Sequence, residues 1–205
     1  MKIEHLKTNH GGNLYQNEVK LIKSQYDTPK IIFDIGANVG GFTLELHKQF
    51  PNALIYAFEP VHETFEILKN NTKDIQNIFC MNFGFFNKDR NNVSVGMPEI
   101  PSHKTHNYGR MTVFHASESL DFVCLRNFGK WCTVNNIIPD MLKIDIEGCE
   151  LPLIESANEY DLIKNFKLVY IEINLTYPSS KNVENILSKF MVIVSRGLNY
   201  LYVKK

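Results

Sequence analysis

Along this chain the spacing of hydrophobic positions switches between a strand period and a helix period, and the switches mark its elements. Ile31, Ile32 and Phe33 form a short apolar run ending in an acid, Asp34. A strand buried in a parallel sheet looks like this where it delivers its end to a ligand. Val39, Phe42, Leu46 and Phe50 then recur at helical spacing until Pro51 stops the run, predicting a helix over 39–50. Leu54 to Phe58 is a second strand, and Val61, Phe65, Leu68 and Thr72 lie along one face of a helix over 62–72. Asn77 to Phe83 reads as a third strand, Val93 to Gly96 as a short one and Met111 to His115 as another. Ser119 is read as the cap of a helix whose buried stripe is Leu120, Val123, Cys124 and Phe128, with Trp131 in the same packing.

The second half continues the alternation. Met141 to Ile146 is a strand, and Gly148 turns it into a helix from Glu150 that tolerates Pro152 in its first turn. Lys167 to Asn174 is a further strand, followed by a helix with Val183, Ile186 and Leu187 on one side. Phe190 to Ser195 and Tyr200 to Lys204 form a terminal antiparallel hairpin. Strands alternating with helices predict an α/β fold on a mostly parallel sheet. Residues 1–28 stand apart as an N-terminal accessory segment, with a turn at 10–13 and a helix from Tyr15 to Tyr26 that holds Val19, Leu21 and Ile22. Such a segment packs over a cofactor or covers an edge of the sheet. Residues 29–205 form the main domain.

The chemistry concentrates where strands end. Gly36 and Gly40 let the chain turn sharply after Asp34, where a Cβ would obstruct close approach. The second strand ends at Glu59-Pro60, in the region where a βαβ unit uses an acid to bind a ribose. A dinucleotide fingerprint would read Gly-x-Gly-x-x-Gly, but here the spacing is Gly36-x-x-x-Gly40, with Ala37 and Asn38 between. Asn38 hinders a pyrophosphate, and Asp34 repels one. An acid there suits a ligand presenting an amino group, a description that S-adenosylmethionine meets without any phosphate. An ordinary strand–turn–helix with an incidental acid is the plainer reading of the same residues.

Three blocks of sequence carry a resemblance. Phe-Asp-Ile-Gly-Ala-Asn-Val-Gly-Gly (33–41), Ala-Phe-Glu-Pro (57–60) and Leu-Lys-Ile-Asp-Ile-Glu-Gly-Cys-Glu (142–150) resemble the FkbM-type S-adenosylmethionine-dependent methyltransferases, from about Ile31 to Tyr202. The first block is shared by many methyltransferases; its combination with the third is specific. The resemblance implies a Rossmann-like class I methyltransferase fold, with a seven-stranded sheet, and O-methylation of sugars or natural-product hydroxyls.

Site roles follow from strand ends. Asp34 with the backbone of Gly36, Ala37, Asn38 and Gly40 is expected to hold the amino-acid end of the donor, and Glu59-Pro60 its ribose. Asn82 and Phe83 are expected to meet the adenine, against a plainer reading as a turn Asn and a core Phe. Lys143, Asp145 and Glu147 alternate with Leu142, Ile144 and Ile146. A central strand is covered on both faces, so its polar end points into the cleft. Asp145 is the first candidate base, with Glu147, His103 and His106 as alternatives. Glu150 is read as mainly structural, favoured by the helix dipole. Residues 97–110 lack periodicity, and this long insert bears His103, His106, Tyr108 and Arg110, a mixture suited to substrate recognition. Glu172 reaches the same rim. Asp145, Glu172 and Asn174 together offer oxygen ligands for a possible Mg²⁺, although the primary reading assigns no metal.

Composition narrows the partners. Lys plus Arg and Asp plus Glu both number 22, so no excess charge recruits nucleic acid or a membrane surface. At 205 residues one domain is the natural count. No run suits a signal peptide or a membrane span, and Cys80, Cys124, Cys132 and Cys149 lack close pairing, which predicts free thiols in a reducing cytoplasm. A nicotinamide oxidoreductase and a non-catalytic nucleoside-binding subunit are the alternatives. The expected acceptor is a small molecule or glycan.

Overall fold

The computed structural model describes residues 15–96, 121–173, 180–195 and 199–205. Its centre is a seven-stranded sheet in the order β3-β2-β1-β7-β8-β10-β9. The strands are β1 (Ile31–Ile35), β2 (Leu54–Phe58), β3 (Ile78–Met81), β7 (Met141–Ile144), β8 (Leu168–Glu172), β9 (Met191–Ser195) and β10 (Asn199–Lys204). All pairs are parallel except those of β10, which runs antiparallel to both β8 and β9. The order reverses between β1 and β7, the switch point at which a doubly wound sheet opens a crevice at its carboxyl edge.

Strand parity sorts the core into two layers. Phe33 and Ile35, Leu142 and Ile144, and Val169 and Ile171 point to one side. There they meet α4 (Phe128–Asn135) through Phe128 and Cys132, α5 (Glu150–Glu159) through Leu153 and Ile154, and α6 (Ser180–Leu187) through Val183 and Leu187. Ile32, Met141, Leu168 and Tyr170 point to the other side. They meet α1 (Gln16–Gln25), α2 (Gly41–Gln49) and α3 (His62–Thr72). Val19 and Ile22 of α1 are fully buried in this second layer, so the N-terminal helix packs into the core. Leu21 faces outward, because two residues on from Val19 is roughly the opposite side of a helix of 3.6 residues per turn.

A second, three-stranded sheet stands beside the first in the order β4-β6-β5. It comprises β4 (Gly84–Phe86), β5 (Arg90–Val95) and β6 (Asp121–Asn127). The helix expected from Ser119 is therefore not present over 121–127. Val123 and Leu125 are buried and Phe122 is exposed, a period of two. Pairing with β4 on one side and β5 on the other outweighs the helical spacing of Val123, Cys124 and Phe128. The cap belongs to Asn127, whose Oδ1 accepts from the Lys130 amide at 2.8 Å and starts α4. Trp131 joins the aromatic packing, with its ring 5.9 Å from Phe33 and 5.5 Å from Phe58. The strand expected at 111–115 and the turn at 10–13 lie outside the described residues.

Candidate active site

The turn after β1 owes its shape to its neighbours. Gly36 has φ +80, and a Cβ there would lie 1.8 Å from the Asp145 carbonyl oxygen. The backbone of the adjacent strand end thus leaves no room for a Cβ at this turn. Gly40 has φ +91, and a Cβ there would press on Leu68. Asn38 also has a positive φ, 50°. The Gly36 and Ala37 amides both donate to the Phe58 carbonyl, the Val39 amide to Asn38 Oδ1, and the Gly40 amide to the Ala37 carbonyl. The Asn38 amide donates to Glu59 Oε2 at 2.9 Å. The loop's amides are spent on the fold itself, so it makes no phosphate cradle.

A cavity of about 390 Å³ opens beside this loop at the carboxyl edge of β1, β2, β7 and β8, within the range of small-ligand sites. Gly36, Ala37, Asn38, Glu59 and Pro60 line it, as do Asp145, Glu147 and Glu172. One wall is apolar, formed by Val61, Gly84, Phe85, Val95, Val123 and Leu125. The opposite end is polar, with Tyr15, Glu18, Lys143, Tyr170, Glu172 and Asn199. Glu59 is buried; its Oε1 accepts from the Val61 amide at 2.9 Å, opposite the Asn38 contact. Burial pushes its carboxyl up to about 7, against the pull of these two backbone donors.

Asp34 lies beneath the cavity rather than on its lining, a correction to its expected contact with the donor's amino group. It is fully buried on the α2 side of β1, where Thr43 donates to its Oδ2 at 2.6 Å. Lys143, its register partner on β7, brings Nζ within 3.1 Å of Oδ1, a charge contact rather than an aligned hydrogen bond. The same ammonium donates to the Gly36 carbonyl at 2.7 Å and stands 3.9 Å from Asp145 Oδ2. Burial opposes its charge, but Asp34 and Asp145 outweigh that and hold the Lys143 pKa above its usual value. Asp145, by contrast, keeps 39% of its side chain exposed in the cavity. Glu147 follows with φ 47, a costly backbone state for a residue with a Cβ. Glu150 is buried, its Oε1 accepts from the Gly148 amide at 3.0 Å, and burial raises its carboxyl pKa.

Asn82 and Phe83 do not reach the lining either. The Asn82 amide donates to the carbonyls of Glu59 and Pro60, fixing the end of β2 from behind. Phe83 packs against Phe58, Phe85 and Trp131. The strand turns at 82–83 to enter β4, so Gly84 and Phe85 meet the cavity in their place. His103, His106, Tyr108, Arg110 and Asn174 lie outside the described residues. Among the described residues no group of three or more His, Cys, Asp or Glu could hold a metal ion. None of their helices is long and apolar enough to cross a membrane.

Residues 34–202 match the family profile described as the Methyltransferase FkbM domain. The chain belongs to that family. A fungal relative, Methyltransferase 1 of Beauveria bassiana (strain ARSEF 2860), is 24% identical over 155 residues, which is 65% of this chain and 61% of the relative. The chain thus spans less than two thirds of that relative's length. Among solved structures, the chain resembles a putative rRNA-methylase from Clostridium thermocellum at a TM-score of 0.55 and 9% identity, covering 92% of this chain and 93% of that one. It also resembles the precorrin-6y C5,15-methyltransferase of Geobacter metallireducens GS-15, at a TM-score of 0.51 and 12% identity, over 92% of this chain and 87% of that one. Such low identities establish the class I methyltransferase fold and nothing finer.

Sequence reading missed Tyr15, Glu18, Tyr170 and Asn199, and it gave Lys143 no partner. Register supplied the signal for Lys143: a Lys and an Asp on adjacent parallel strands, each buried, must find one another. The helix of α1 was legible, but no local signal chose between a place over the cavity and one on the edge of the sheet.

Proposed function

We propose that this FkbM-family chain transfers a methyl group from S-adenosylmethionine to a hydroxyl oxygen of a small molecule or glycan, leaving S-adenosylhomocysteine. The observation that supports this best is the polarity of the cavity. Its apolar wall suits an adenine, buried Glu59 suits ribose hydroxyls, and its polar end suits an amino-acid tail. Glu59 accepts two backbone bonds and keeps lone pairs for a vicinal diol. The loop amides donate internally, which disfavours the pyrophosphate of a nicotinamide cofactor. Gly41 and Phe42, at the start of α2, lie on the lining and offer first-turn amides to the donor's carboxylate.

When bound, the donor supplies a sulfonium-activated methyl group that leaves sulfur as a neutral thioether. The chain's part is alignment, exclusion of water and proton removal. Asp145 takes the proton of the acceptor hydroxyl as its oxygen forms the new bond to the methyl carbon and the sulfur–carbon bond breaks. Lys143 orients that carboxylate from below. Equal numbers of acidic and basic residues, and carboxylates around the cavity rim, favour a neutral or cationic acceptor over nucleic acid.

Calorimetric titration with S-adenosylmethionine, S-adenosylhomocysteine and NAD⁺ tests the donor. Micromolar binding of both sulfur nucleosides, weakened in Glu59→Ala and absent for NAD⁺, is the expected result. Binding of NAD⁺ alone, or of none, overturns the reading. Mass spectrometry of hydroxylated compounds incubated with the donor then tests oxygen methylation.

A further inference from the structure

The family match begins at residue 34, yet Tyr15, the N-cap of α1, and Glu18, in its first turn, line the cavity. Their place is fixed by packing. Val19 and Ile22 anchor α1 in the core, and the Tyr15 ring lies 5.2 Å from that of Phe42. Phe42 in turn stacks on Tyr170 at 5.7 Å, with Lys143 Nζ 5.6 Å from its ring centre. Phe42, approached by both Tyr15 and Lys143, thus places the start of α1 at the Lys143 end of the cavity, where burial raises the Tyr15 phenol. That end is the polar one, remote in character from the apolar wall of Val61, Val95 and Val123.

The acid that the sequence offers for a donor's ammonium is unavailable. Asp34 is fully buried, bonded by Thr43 and neutralised by Lys143, and it does not line the cavity. An amino-acid tail entering this end still carries a cation that costs several kcal/mol to desolvate unpaired. Glu18 and Tyr170 share that end of the cavity; burial first, and then the charge of Glu18, push the Tyr170 phenol up. A carboxylate has lone pairs enough to accept from an ammonium there.

We propose that Glu18, on the N-terminal helix, takes the α-ammonium of the donor's amino-acid tail, with Tyr15 closing the cavity over that tail. The N-terminal helix is then part of the donor site, and the Asp34–Lys143 pair is the internal strut that shapes it. This rests on the donor reading above.

The experiment is calorimetric titration of the full chain and of Glu18→Gln with three ligands: S-adenosylmethionine, S-adenosylhomocysteine and 5′-methylthioadenosine. The last keeps the adenosine but lacks the amino-acid tail. Glu18→Gln is expected to weaken the first two about tenfold, as loss of a charge-assisted hydrogen bond does, and to leave 5′-methylthioadenosine unchanged. Unchanged affinity for all three, or an equal loss for all three, overturns the assignment of Glu18. Wild-type protein that binds none of the three overturns the donor reading itself. Binding of 5′-methylthioadenosine also reports that the variant is folded.

Discussion

The buried pair of Asp34 and Lys143 gives the sharpest test of how this site is held. Lys143→Met keeps the volume and the apolar stem but removes the ammonium. Asp34 is then left with the Thr43 hydroxyl alone, in a position with no exposure, and the Gly36 carbonyl loses its 2.7 Å donor. Breaking a buried pair in this way costs about 3–5 kcal/mol. For a chain of this size that lowers the melting temperature by roughly 6–20 °C. Asp34→Asn is milder, because Lys143 keeps the Gly36 carbonyl and Asp145. The double variant restores much of the loss, since neither charge remains buried alone. Urea unfolding of the four proteins, followed by circular dichroism, measures the coupling, expected at about 2 kcal/mol or more. A Lys143→Met protein within about 0.5 kcal/mol of wild type, or strictly additive single effects, would refute the argument.

Four further outcomes are expected. Donor affinity rises as pH climbs through about 7, because ribose hydroxyls donate to an ionised Glu59, whose carboxyl is pushed up to that value by burial; in Glu59→Gln, calorimetry at pH 6 and pH 8 should show this dependence gone. The same raised carboxyl binds its proton more tightly folded than unfolded, so its stabilising contribution is complete below about 4.5 and lost as pH rises to about 7; a flat urea-midpoint profile over that window would contradict it. Gly36→Ala sets a Cβ 1.8 Å from the Asp145 carbonyl oxygen at φ +80, and should cost more than about 4 kcal/mol, read by thermal melting. Asp145→Asn should lower turnover about a hundredfold or more with donor affinity within about threefold of wild type.

Much of the fold was legible because parallel strands buried on both faces must be apolar throughout. Ile31 to Phe33 and Leu54 to Phe58 follow that rule, and the ends of their strands locate Gly36 and Glu59 on one rim. The terminal hairpin was equally plain, since β9 and β10 pair antiparallel and only residues 196–198 separate them in the sequence. Residues 121–127 were not, because Val123, Cys124 and Phe128 fit a helical stripe as well as a strand. Only pairing partners 26 to 41 residues away decided the matter. Asn82 and Phe83 failed for a related reason: one residue more or less at a strand end turns a side chain from the cavity to the core.

What the sequence determined by itself was the order of elements, the glycine turn and the acids at the strand ends, all set by local period and backbone freedom. What the tertiary structure decided was which of those acids faces a ligand. Register placed Lys143 against Asp34 and removed that carboxylate from the cavity, while packing of Val19 and Ile22 brought Tyr15 and Glu18 to its polar end. Charge pairing across strands and the docking of a distant helix depend on contacts between residues far apart in the chain, and no local pattern encodes them.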